Sequence, residues 1–244
     1  MSRYDNKFTL TTYPTGTTWD LFAPSAEDVH IEDLVWAKAN GCVRFGGHIR
    51  GRYSVAQHEV LVHDLLTGLR GWPDEAAWKE LGTFARSAFN SARRPNLDEQ
   101  ADLCREAGLH ALFHDGHEAY LGDLIGPLKD LLRSMGEPFG MLSPWDMLER
   151  RHDEAIFEAL GLGFYWDGEY DGPEKRRFGR VVHAADKEAY RIEKVALRAG
   201  GTAADLDLLP GGRILDEFEA ANLFLTRARI YGIEIDDFRP EAMP

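Results

Sequence analysis

The sequence predicts an all-α fold in one domain, and three observations carry that expectation. Five segments combine a 3.6-residue apolar period with capping residues at their ends. Strand signals are confined to two short stretches. No linker, internal repeat or low-complexity tract divides the 244 residues. Hydrophobic residues are 44% and charged residues 28%, the balance of a globular chain that buries a core without disulfide staples.

In chain order, Lys7 to Thr12 alternates weakly and reads as the start of a short hairpin. The first long helix is read over residues 54–70, opened by Ser54 with Gln57 three residues on, a capping box. It places Val55, His58, Leu61 and Val62 on one face. Trp78, Leu81, Phe84 and Phe89 suggest an extra helix within residues 71–95. The next helix, 97–114, opens after Asn96 with Glu99 at its third position. Its stripe is Leu103, Ala107, His110, Ala111 and His114. Ser143 as cap and Pro144 at the first position start a helix over 144–160, which ends near Gly161. Gly163 to Tyr170 is aromatic and Gly-rich, a loop or short edge. A helix over 178–198 is stopped by Gly200-Gly201, and a last one covers 213–231.

Charge narrows the partners. Lys and Arg total 28 against 41 Asp and Glu, a net −13 with His neutral. Such a surface repels long nucleic acid and acidic membranes. A small anionic substrate stays compatible, because a local pocket can oppose the net field. The two cysteines, Cys42 and Cys104, suit a reducing compartment and build no metal motif. Met1 to Thr12 lacks the apolar stretch of a signal peptide. No apolar run approaches the length of a membrane span. The expectation is a cytoplasmic protein with no membrane partner.

Three helices each point a hard ligand inward. His58 sits on an apolar face, His114 with Asp115 ends another, and Asp186 lies on the stripe Val182, Ala185, Ala189 and Ile192. A carboxylate on a core-facing stripe is costly unless a positive group pairs with it. Two imidazoles and two carboxylates make a mixed N/O site for a divalent ion (Co, Mn, Fe, Zn or Mg) with positions left for water and substrate. The bland alternatives are a hydrogen-bonded core histidine and an Asp186 paired with Lys187 or Arg191. Two further His-Asp pairs are set apart. His63-Asp64 points elsewhere on its helix, and His152-Asp153 lies in the charged run Glu149 to Glu154, read as a solvated face. His114-Asp115 alone is followed by Glu118 one turn on and then by Gly122-Asp123.

The order His58, His114-Asp115, Asp186 resembles the signature of the HD-domain metal-dependent phosphohydrolases. Tyr53-Ser54-Val55-Ala56-Gln57-His58 and the run from His114 to Leu124 look like motifs of the subgroup related to bacterial 5′-deoxynucleotidases. Val43-Arg44-Phe45-Gly46-Gly47-His48 resembles its arginine-containing substrate segment, and Ile31-Glu32-Asp33-Leu34 the preceding family helix. The resemblance covers about residues 15–198. It implies an HD-domain helical bundle around one metal. The rest of the chain reads as an inserted segment at about 71–95, a C-terminal helical extension at about 205–244 and irregular additions at both termini. By motif, His58, His114, Asp115 and Asp186 would be the metal ligands and Glu118 the acid/base residue. Arg44 would hold phosphate, Phe45 would pack near the sugar, and Asp123 would accept from a sugar hydroxyl. His48 either helps bind phosphate or caps a local turn. His117 departs from the motif and is read as a phosphate contact or a surface residue. Arg86, Arg93, Arg94 and Lys129 could meet further phosphates, but each reads foremost as solvated.

The expected activity is hydrolysis of 2′-deoxynucleoside 5′-monophosphates to nucleoside and phosphate, by a homo-oligomer. The near alternative is a deoxynucleoside triphosphate triphosphohydrolase with the same tetrad. The alternative of another class is a non-catalytic nucleotide sensor, which would have no need of Glu118.

Overall fold

The computed structural model describes residues 8–67, 97–136, 143–162 and 175–239. Among these residues the protein is helical, with a single two-stranded sheet. β1 (Thr9–Thr11) pairs antiparallel with β2 (Thr18–Asp20) in the register Leu10 to Trp19. This is the hairpin expected from Lys7 to Thr12. Trp19 is its buried anchor and stacks on Tyr120, with ring centroids 3.9 Å apart.

The helices are α1 (Ile31–Trp36), α2 (Val55–Thr67), α3 (Leu97–Phe113), α4 (Glu118–Leu121), α5 (Gly126–Gly136), α6 (Pro144–Ala159), α7 (Lys175–Leu197), α8 (Ala203–Leu206) and α9 (Glu217–Ala228). A π-helical turn, Ala37–Gly41, follows α1. Ser143 caps α6 through the Asp146 amide with Pro144 inside the first turn, as its sequence signals require. The last helix is shorter than the expected 213–231. Asp216 and Glu219 form a reciprocal capping box that starts it at Glu217. The expected helix within 71–95 and the stretch Gly163 to Tyr170 lie outside the described residues.

α2 is the axis of the molecule. Every residue from Val55 to Leu65 is buried, because α3, α7 and α9 all pack on it. Ala56 and Val60 belong to a core cluster with Leu112, Phe113 and Phe224. Leu61, Val62 and Leu65 belong to a second cluster with Ala185, Ala189 and Ile192 of α7. A helix enclosed on all sides can keep polar side chains only if each finds a partner. Gln57 donates to the carbonyls of Pro210 and Arg213 at 2.7 and 2.6 Å. Glu59 meets Lys38 at 2.6 Å, both fully buried. His63 bonds Asp64 and the Tyr231 hydroxyl, and Asp64 takes a two-pronged contact from Arg227 at 2.7 and 2.9 Å. The remaining buried polar residue of this helix, His58, faces the site. No helix among the described residues is long and apolar enough to cross a membrane.

Candidate metal centre

The segment before α2 is bent back on itself. Val43 bridges Ser54, and the Arg44 amide donates to the Tyr53 carbonyl at 3.0 Å. Between them Phe45 takes a left-handed backbone, φ 59°, followed by Gly46 and Gly47 at positive φ. A non-glycine residue held there stores of order 1–2 kcal/mol of strain. The turn aims Arg44 inward and lays the Phe45 ring 5.5 Å from Tyr190.

His58 comes from the first turns of α2. His114 and Asp115 follow the last turn of α3, and Asp186 projects from the middle of α7. One ligand atom each of His58, His114 and Asp115 lies within 4.8 Å of the others. Asp186 Oδ1 is 3.3 Å from His58 Nε2 and 4.0 Å from His114 Nε2. Asp115 Oδ2 is 3.6 and 3.4 Å from the same two nitrogens. Both Nε2 atoms are buried without a hydrogen-bond partner. Two orphaned imidazole nitrogens facing two carboxylates suit a divalent ion in ligand type and number. Asp186 keeps 30% of its side chain exposed, so the cluster is reachable from solvent.

Orientation supports that fit. His58 Nδ1 lies 2.6 Å from Glu193 Oε1, a fully buried carboxylate on α7. His114 Nδ1 donates to the Ala111 carbonyl at 2.9 Å. Each ring is therefore fixed by its other nitrogen, with Nε2 presented to the centre. Burial and Arg44 oppose a charged His58, but Glu193 and Asp186 outweigh them and lift its pKa to about 10. Burial would raise the Asp115 pKa, yet His114, Arg44 and His58 hold it well below the usual carboxylate range.

Around this cluster, Arg44 lies 3.6 Å from Asp115, 3.9 Å from Asp123 and 3.6 Å from Glu193. Its Nε is buried and lacks a hydrogen-bond partner. Glu118 starts α4 beside Asp115. Burial, then Asp115 and Asp123, push its pKa up to about 8. His48 is exposed, and its amide donates to the Phe45 carbonyl at 3.1 Å, closing the turn.

No protein-family model matches the chain. Over 198 residues it is 28% identical to an uncharacterized protein of Rhodobacter capsulatus, covering 80% of this chain and 76% of that one. Over 136 residues it is 29% identical to the uncharacterized protein YfdR of Escherichia coli, covering 56% of this chain and 49% of that protein. The chain thus spans about half the length of YfdR. Neither relative brings a stated activity with it.

Three expectations are corrected. The run Glu149 to Glu154 is not wholly solvated: Glu149, His152 and Asp153 are buried. They share with Ile156 and Phe157 the i, i+3, i+4, i+7, i+8 face by which α6 packs inward. His117 is neither on the surface nor free for phosphate. Its Nδ1 contacts Asp153 at 3.0 Å, and its Nε2 is 3.3 Å from Glu149. Burial opposes its charge, but Asp153 and Glu149 raise its pKa well above the ordinary imidazole value. Lys129 is not solvated either. It reaches from α5 to Glu118 at 3.4 Å and Glu149 at 3.1 Å. His110, placed on one stripe with His114, turns away from the centre and stacks on Phe157 at 4.6 Å. Arg86, Arg93 and Arg94 lie outside the described residues.

Glu193 was not among the sequence candidates. Its signal was available: it follows Asp186 by seven residues, two helical turns along the same face.

Proposed function

We propose that this chain is a metal-dependent phosphohydrolase of the HD-domain kind, acting on 2′-deoxynucleoside 5′-monophosphates. The observation that supports this reading best is the meeting of His58, His114, Asp115 and Asp186 at one point, with Glu118 and Arg44 at its edge. His58, His114, Asp115 and Asp186 would hold one divalent ion. Such an ion, when bound, supplies Lewis acidity and an activated water.

The chain's own residues cover the remaining needs of phosphate ester hydrolysis. Arg44 offers a planar fork whose present carboxylate contacts are all 3.6 Å or longer, so an anion can draw it into a tighter pair. Glu118 carries a carboxyl whose Oε2 has no hydrogen-bond partner, and it can hold or release a proton near neutral pH. Phe45, in its strained turn, would close on the sugar and crowd a 2′-hydroxyl. Asp123 would accept from the 3′-hydroxyl. A sensor that only binds nucleotide has no use for a buried acid/base group such as Glu118.

The test is a panel of ribo- and deoxynucleotides, as mono- and triphosphates, incubated with the Mn²⁺-loaded protein and analysed for the released anion. Phosphate from deoxynucleoside monophosphates is expected. Triphosphate release would move the protein to the triphosphohydrolase class, and no release from any member would refute the reading. Asp115→Ala should abolish both metal retention and turnover. Full metal occupancy in that variant, by elemental analysis, would rule out the ligand set.

A further inference from the structure

Beside the four-ligand cluster lies a second convergence. One ligand atom each of Asp115, His117 and Glu118 lies within 4.8 Å of the other two. The Glu118 side chain is 1% exposed, and its Oε2 has no hydrogen-bond partner. Glu149 joins from α6, with Oε1 3.3 Å from His117 Nε2. The Asp115 and Glu118 carboxylates meet there with Glu149 on the rim, and carboxylate oxygens suit a hard divalent cation. Carboxylates gathered in this way repel one another unless a positive group stands among them.

Besides His117, which Asp153 holds, the positive group reaching that place is the Lys129 ammonium. It lies 3.1 Å from Glu149 Oε1 and 3.4 Å from Glu118 Oε1, with 18% of its side chain exposed. Helix α5 delivers it from its first turn, where the Lys129 amide donates to the Ile125 carbonyl at 3.1 Å. We propose that Lys129 fills a second cation position next to the metal centre, so that the native protein takes one divalent ion and draws its neighbouring positive charge from an amino group.

Asp115 is what makes the two positions neighbours, because it belongs to both clusters. In two-ion phosphate-transferring sites the cations sit roughly 3.5–4 Å apart. An ammonium can neutralise Glu118 and Glu149 as a second ion would. It is a point charge that holds no water for attack, so activation of water is left to the first position alone. The inference rests on the metal reading given above, and it deepens that reading by setting the stoichiometry of the site and adding a residue to it.

Counting bound ions tests the proposal without recourse to activity. Metal-free wild type, K129A, K129Q and K129R are saturated with Mn²⁺, freed of excess by gel filtration and analysed for metal per chain. One ion is expected in wild type and in K129R, which keeps the charge. Two are expected in K129A. K129Q removes the charge but keeps a polar amide, serves if the alanine variant does not fold, and should also gain one ion. Adding E149Q to K129A should return the count to one. A folded K129A or K129Q with the wild-type count overturns the proposal, as does a wild type that already holds two. A wild type holding none sinks the metal centre, while a gain of one ion in K129A would still establish the lysine's position.

Discussion

Replacing Glu193 by glutamine tests how the first histidine is held. Glu193 Oε1 sits 2.6 Å from His58 Nδ1 in a fully buried setting. Glutamine keeps the shape and an acceptor oxygen but removes the charge. A hydrogen bond to a charged partner contributes ~1.5–3 kcal/mol and a neutral one ~0.5–1.5 kcal/mol. The swap should therefore cost about 1–1.5 kcal/mol in holding Nε2 toward the ion, or roughly 5- to 13-fold in Mn²⁺ affinity. Glu193 Oε2 is also 3.6 Å from Arg44 Nη2, and an amide nitrogen there would face the guanidinium, which pushes the loss upward. Carboxylates that orient ligating histidines typically contribute about 10- to 100-fold, so about tenfold is expected. Competition with a fluorescent chelator at pH 7 measures it. A dissociation constant within about twofold of wild type would refute the orienting role.

Glu118→Gln should keep its metal and lose on the order of 10²–10⁴-fold in turnover, measured at saturating nucleotide. Unchanged turnover would take the acid/base role away from Glu118. Wild type should cleave deoxynucleotides faster than matched ribonucleotides, and Phe45→Ala should narrow that gap. Arg44→Ala should weaken both sugar classes alike, and equal wild-type kcat/KM values for the two would sink the sugar model. Asp64→Asn probes acid stability. Burial would raise the Asp64 pKa, but hydrogen bonds from His63 and Arg227 lower it. A depressed folded pKa contributes stability that is present above the ordinary carboxylate value and lost as pH falls through the folded one. The variant should be less stable than wild type by about 1–3 kcal/mol at neutral pH, with the difference closing below both values. Urea unfolding that shows the same difference at pH 2 and pH 7 would contradict this.

The helices and the four converging side chains were readable because their signals are short-range. Ser143-Pro144 marks a helix start through bonds within one turn. Asp186 is conspicuous because its own helix surrounds it with Val182, Ala185 and Ala189. The same local reading failed at His152-Asp153 and Lys129. A charged run says nothing about which neighbouring helix will cover it. Gln57 shows the difference within one side chain. Its position three residues after Ser54 suggests a capping box, and the Ser54 hydroxyl does accept from the Gln57 amide at 3.2 Å. The Gln57 side chain instead crosses to the carbonyls of Pro210 and Arg213, which folding brings against α2 and which need donors once buried. Helical period and end signals are properties of a few consecutive residues, so the order of amino acids suffices to locate α2 and α6 and the inward-facing His58 and Asp186. The partners of buried charge, Glu193 for His58, Lys38 for Glu59 and Lys129 for Glu118, are chosen by whichever element packs opposite. Only the assembled fold sets that choice, because the cost of leaving such a charge unpaired arises only after water has been excluded.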